Sequence, residues 1–225
     1  MPRSIYRNAK GKRLIGVTTP ISMFGENGGL LYWANQKGQE CAPNCPCGGK
    51  HIGISLADAR VVADEGTCAH EMCECHLKGE PFDESKWSEE IRDKAENAYL
   101  NFLEWKKSVE MDVVALEPTL ISEKHQYGGT PDWIAMINGT RCLGDFKTGS
   151  VYPSVLMQLA GYKIAWEEMH PDQPLEGYHI LQIPRGDQTQ AFKHHYWECL
   201  PELAEEMFLT LVDLHSKNKR LKRMF

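Results

Sequence analysis

The sequence predicts an α/β fold, an α+β arrangement in which helices pack on a mixed sheet, and three observations carry that expectation. Trp87, Ile91, Ala95, Ala98, Phe102 and Trp105 recur at helical spacing and mark one buried helix face. Asn138-Gly139 stands between two apolar-rich runs, the strongest short-range signal for a two-residue hairpin. Pro153 suits the first turn of a helix, and that helix leads into a β-rich run over residues 178–183.

Taken in order, residues up to about 25 read as irregular chain or short strand. Leu30-Leu31-Tyr32-Trp33-Ala34 reads as a short helix that Gly38 ends. A turn-rich stretch follows over residues 41–51. Ser55 is placed to cap a long helix, with Asp58 favouring its N-terminal end and Gly66 marking a close approach; it runs to about Lys78. A second helix spans residues 86–107, and strands follow at 112–121, 132–137 and 140–147. The helix opened by Pro153 extends to about Met169, ahead of Pro171. Strands at 178–183 and 190–197 are joined through Pro184-Arg185-Gly186-Asp187. Pro201 opens a last helix whose apolar stripe reads Leu203, Met207, Leu211 and Leu214. The organisation expected is an N-terminal elaboration over residues 1–54 and a main domain over 55–225, together one compact unit.

The hairpin carries the chemistry. With Asn138 and Gly139 as the turn, cross-strand partners are residues whose numbers sum to 277, so Asp132 faces Asp145. Lys147, two residues beyond Asp145, points to the same face. Two opposed carboxylates repel, and the pair asks for a compensating cation. A hard divalent ion, Mg²⁺ or Mn²⁺, suits such a site, because it accepts one or two carboxylates and keeps positions for water and phosphate. A lysine beside it can orient an attacking water and stabilise charge at phosphorus.

Pro131-Asp132, a spacer, then Asp145-Phe146-Lys147 resembles the active-site signature of the PD-(D/E)XK nuclease superfamily. Gln158-Leu159-Ala160-Gly161-Tyr162 resembles the Gln-x-x-x-Tyr motif of its RecB-type exonuclease branch, and Gly66 to His70 that branch's Gly-x-x-x-His helix motif. The resemblance covers roughly residues 55–185. Gly16-Val17-Thr18-Thr19 and Leu31-Tyr32-Trp33-Ala34 are similar to phage-encoded members. The resemblance implies a restriction-endonuclease-like αβββαβ core with extra N-terminal helices and a C-terminal helix. It also implies His70, Asp132, Asp145 and the Phe146 carbonyl as metal ligands, Lys147 as the water-positioning base, and Gln158 and Tyr162 as contacts to the substrate strand or the lysine. Glu117 is expected near the metal or the DNA, and Glu71 and Glu74 are either partners orienting His70 or solvated helix carboxylates. Arg185 and the His194-His195 pair are candidate phosphate contacts.

No run of 18 apolar residues exists, and the N-terminus lacks a signal-peptide core, so a soluble, cytoplasmic protein is expected, in a host cytoplasm if phage-encoded. In that compartment the eight cysteines are thiols or metal ligands rather than disulfides. Cys41, Cys45, Cys47 and His51 supply four ligands in a Pro/Gly-rich loop, a candidate structural Zn²⁺ site, with free thiols as the alternative. Some RecB-type relatives hold a [4Fe–4S] cluster with one early and three late cysteines; only Cys199 lies late here, and the cluster is not expected. The net charge is −6, yet residues 1–13 and 216–225 carry five basic side chains each and no acid. Those ends either contact phosphates or are solvated tails.

The function expected is therefore a metal-dependent DNA nuclease, an exonuclease acting on single strands or DNA ends and leaving a 5′-phosphate and a 3′-hydroxyl. A recombination or single-strand-binding protein is the protein partner expected, and no membrane. Two other readings stand beside it: a non-catalytic nuclease-fold protein that binds DNA or a partner through a zinc-stabilised loop, and a structure-specific endonuclease.

Overall fold

The computed structural model describes residues 5–24, 52–183 and 192–224, with side chains of the long helix described from Asp64 onward. The expected helix at 30–34, the Cys41, Cys45, Cys47 and His51 loop, and Arg185 lie outside the described residues. The elements, in chain order, are β1 (Ile15–Gly16), α1 (Thr18–Ile21), α2 (Ile52–Lys78), α3 (Glu89–Lys107), β2 (Met111–Leu116), β3 (Leu120–Ser122), β4 (Tyr127–Gly129), β5 (Trp133–Ile137), β6 (Thr140–Lys147), α4 (Ser154–Met169), β7 (Gly177–Gln182), β8 (Lys193–Trp197) and α5 (Glu202–Leu221). The α/β class is as expected: the main sheet is mixed, with strand order β2-β5-β6-β7-β8.

The hairpin register follows the turn chemistry. Trp133 pairs with Gly144, Ile134 with Leu143, Ala135 with Cys142, Met136 with Arg141 and Ile137 with Thr140, each pair summing to 277. Asn138 and Gly139 take φ of 50° and 82°, both left-handed, as a type I′ turn requires. The β6–β7 pairing is parallel, so the chain must cross back, and α4 makes that crossing.

Period-two alternation sends each strand's residues to two cores. Trp133, Ala135, Ile137, Cys142, Phe146 and Leu181 face α2 and α3, meeting Cys68, Ala69, Cys73, Phe102 and Trp105. Ile134, Leu143 and Ile180 face the other way, onto Leu159, Tyr162 and Trp166 of α4 and Phe208 of α5. Gly144 is what lets Trp133 lie across the neighbouring strand: a Cβ there would fall 1.8 Å from the indole Cζ2. The α2–α3 pair is tied by Lys94 Nζ, 3.0 Å from both the buried Glu65 and the exposed Glu90.

Several expectations need correction. The long helix begins at Ile52, so Ser55 lies inside it and does not cap it. The second helix begins at Glu89, where Ser88 Oγ accepts from Ile91 N–H at 3.4 Å, preceded by a short 3₁₀ turn over Glu84–Lys86. The strand expected at 112–121 is two strands, because Glu117 takes a left-handed φ of 43° just before Pro118. The second of them joins a small sheet, order β1-β4-β3, in which Ile15 pairs in parallel with Tyr127. Through it, Leu14 and Val17 of the N-terminal segment are buried. The face of α5 is also turned: Ala204, Phe208, Leu211 and Val212 are buried, whereas Leu203 and Leu214 are exposed. Phe208 sets that rotation by packing edge-on against Tyr127, ring centroids 4.9 Å apart.

Candidate active site

The β5–β6 hairpin positions the central carboxylates. Asp145 lies in β6 in phase with Leu143 and turns toward α4, whereas Asp132 immediately precedes β5 and its side chain lies between Phe146 N–H and His70 of α2. The Asp132 side chain accepts a short hydrogen bond from Phe146 N–H, and its main-chain carbonyl accepts from Glu117 N–H at 2.9 Å. Asp145 is buried. Lys147, on the same face, forms an ion pair with Asp145 Oδ2.

Two helices complete the group. On α4, Val155 and Leu159 are buried and turn their face inward, carrying Gln158 and Tyr162 one helical turn apart. Gln158 Nε2 donates to Asp145 Oδ1 at 3.2 Å and to the Tyr162 hydroxyl at 2.9 Å. On α2, Gly66 packs against Thr148 just past β6, where a Cβ would stand 2.6 Å from Thr148 Oγ1. One turn later His70 Nδ1 faces Asp132 Oδ1 at 3.6 Å, and its ring meets Phe146 edge-on at 5.5 Å. A cleft of about 10 Å³, the space of one water-sized sphere, is lined by His70, Glu74, Leu77, Leu116, Glu117, Asp132 and Phe146.

The electrostatics reflect too many buried acids for the local cations. Burial raises the Asp145 carboxyl, with the Asp132 charge adding to it against the pull of Lys147. Burial also disfavours ionised Asp132, but His70, the Phe146 N–H and Lys147 outweigh it and hold that carboxyl low. Burial works against a protonated His70 as well, and the facing Asp132 overcomes it and raises the imidazole. Glu117 is raised by burial first and by Glu74 beside it second. Opposite shifts on two neighbouring carboxylates are the signature of a site that cannot comfortably carry both charges alone.

Most of the residues expected together are together: His70, Asp132, Asp145, Phe146, Lys147, Gln158 and Tyr162 converge, with Glu117 at the rim of the small cleft. Others are not placed as expected. Glu71 bonds Lys86 Nζ at 2.7 Å and Trp87 Nε1 at 3.0 Å instead of orienting His70. Glu74 pairs with Lys78 and lines the small cleft next to Glu117. His194 is exposed, and its Nε2 lies 2.8 Å from His179 Nδ1 with the rings stacked. Cys68 and Cys73 are buried free thiols on α2, and burial pushes Cys68 up to about 11. Tyr6, which sequence reasoning missed, reaches Thr130 through a 3.0 Å hydroxyl contact; no local motif announces it.

Among the described residues no three His, Cys, Asp or Glu side chains stand as a ready-made ligand set. The donors are nevertheless of the kind a hard divalent cation takes. Asp145 Oδ2 is a buried oxygen met only by the Lys147 ammonium among the described residues, Asp132 lies across the hairpin from it, and His70 faces Asp132. The rest of such a shell is normally main-chain oxygen, water and substrate.

No protein-family profile matches the chain, and no curated protein is similar to it. Among solved structures, one described as "Crystal structure of SSO0001" is similar at 15% identity, covering 63% of this chain and 68% of that one with a TM-score of 0.31. Among the described residues no helix is long and apolar enough to cross a membrane.

Proposed function

We propose that this chain is a metal-dependent DNA nuclease of the PD-(D/E)XK type, a RecB-like exonuclease acting on DNA ends or single strands. The observation that carries the reading is the convergence of Asp132, Asp145 and Lys147 on one hairpin face, with Gln158 anchored to Asp145. Asp132, Asp145, His70 and the Phe146 carbonyl would hold Mg²⁺ or Mn²⁺. When bound, the cation would supply Lewis-acid stabilisation of the phosphate and lower the pKa of a coordinated water.

The protein's own groups do the remaining work. Lys147 orients the attacking water and donates hydrogen bonds to the negative charge that develops on it. Water oxygen loses a proton to solvent as it bonds to phosphorus in line with the departing 3′ oxygen, the P–O3′ bond breaks, and the leaving oxygen takes a proton from solvent. The products are a 5′-phosphate and a 3′-hydroxyl. Gln158, held in turn by Tyr162, keeps Asp145 Oδ1 in place while Oδ2 remains free of neutral donors.

End-labelled linear and circular single-stranded DNA, incubated with Mn²⁺ and with EDTA, test the reading. Linear substrate should shorten only with metal, and closed circles should survive. Asp145→Ala or Lys147→Ala should lower the rate about 100- to 1,000-fold. Cleavage that persists in EDTA, or in either variant at the wild-type rate, refutes the assignment.

A further inference from the structure

Tyr162 belongs to two neighbourhoods. Its hydroxyl meets Gln158 in the carboxylate group, and its ring borders a separate hollow of about 660 Å³. That hollow is lined by Tyr6, Arg13, Thr18 and Thr19 from the N-terminal segment and by Lys219 from α5. Lys219 also borders an adjoining hollow of about 300 Å³ with His215, Lys222 and Arg223. No acidic side chain is among the described residues lining either one.

The charge here is unusual for the chain. Net charge is −6, and Lys217, two residues from Lys219, is paired with Asp213 at 2.6 Å. Among the described residues Arg13, Lys219, Lys222 and Arg223 have no carboxylate within ion-pair distance. Two basic segments more than 200 residues apart in sequence thus meet at one concavity, where like charges repel unless an anion lies between them. The surroundings suit a phosphodiester strand. Thr18 and Thr19 are exposed and carry hydroxyl donors, and Tyr6 packs against Gly128, where a Cβ would stand 2.4 Å from the ring. Cations that track a backbone beside an aromatic ring are how single strands are held without regard to sequence. The hollow is in the size range that encloses a nucleotide-sized ligand, and it cannot enclose a duplex.

We propose that this concavity binds the single-stranded polynucleotide flanking the scissile phosphate, with Arg13 and Lys219 on its phosphates and Tyr162 marking the passage into the carboxylate group. The proposal rests on the nuclease reading for what happens at that group, but strand binding is measurable without cleavage. Each phosphate contact on a single strand contributes about 0.7 to the salt slope, or about 5-fold at 0.1 M salt, so two contacts give about 1.4 and about 25-fold.

The experiment titrates fluorescein-labelled oligo-deoxythymidine in EDTA and follows anisotropy across a salt series. Arg13→Gln/Lys219→Gln should bind about 25-fold more weakly with a slope shallower by about 1.4. A control, Lys107→Gln/Lys217→Gln, loses the same charge from cations already paired with Glu104 and Asp213 and should bind like the wild type. Unchanged affinity and slope in the first variant, or an equal loss in the control, overturns the proposal. Adding Mn²⁺ to the wild type then judges cleavage separately, so a protein that binds without cutting would refute the nuclease reading and leave this one standing.

Discussion

His179 makes stability depend on pH in a direction and amount that can be worked out. It projects from β7 toward α3 among Trp105, Trp133, His194 and Tyr196, with only 4% of its surface exposed. Its Nδ1 shares a 2.8 Å hydrogen bond with His194 Nε2, and its own Nε2 is buried without a partner. Burial first, and the neighbouring His194 second, lower the imidazole from 6.5 to about 4. The unfolded chain therefore binds a proton that the folded protein refuses between those values. Stability from this residue is full above 6.5, falls as pH drops through the window, and stops falling near 4. At about 1.4 kcal/mol per unit the whole window is worth about 3 kcal/mol, of which about 2 kcal/mol is gone by pH 5. That is a large share of a domain's net stability. Urea unfolding followed by tryptophan fluorescence at about pH 7.5 and about pH 5 measures it, with His179→Phe removing the titrating group. The wild type should lose about 2 kcal/mol more than the variant between the two conditions. Equal losses would refute the reasoning.

Gly144→Ala drives a methyl into the Trp133 indole and should cost about 3 kcal/mol or more, seen as a lower melting temperature and poor soluble yield. Adding Trp133→Leu should recover part of it, and a variant as stable as the wild type would show that the indole can move aside. Gln158→Ala cuts the link from Tyr162 to Asp145 and should lower cleavage about 10- to 100-fold while the melting temperature moves by less than about 3 °C. Wild-type turnover in that variant would mean that Asp145 holds its position unaided.

The hairpin was legible from the chain because two local rules fix it: Asn-Gly selects the turn, and a side-chain period of two then assigns every partner. Those rules placed Asp132, Asp145 and Lys147, and helical spacing placed Gln158 with Tyr162. The small sheet was not legible. Its strand Tyr127-Gly128-Gly129 has no apolar alternation, and its parallel partner Ile15 lies more than 100 residues earlier. The α5 face was misread because Leu203, Met207 and Leu214 repeat at helical spacing as well as Ala204, Phe208 and Leu211 do. The choice depended on which stripe could meet Tyr127, a contact the sequence does not display. The choice between the two readings of Glu71 was hidden for a similar reason: Lys86 and Trp87 reach it across a turn. The stacking of the exposed His194 on His179 was not legible either, because it follows from the β7–β8 register.

The clamp between Asp132 and the Phe146 amide restricts how this hairpin can change length. Because both acids hang from one two-stranded ladder, an extra residue in a single arm would slide one carboxylate past the other and turn it to the opposite side. Arms lengthened in matched steps would leave their opposition intact, so the Asn138-Gly139 tip can be moved outward while the spacing of the acids stays locked to the ladder.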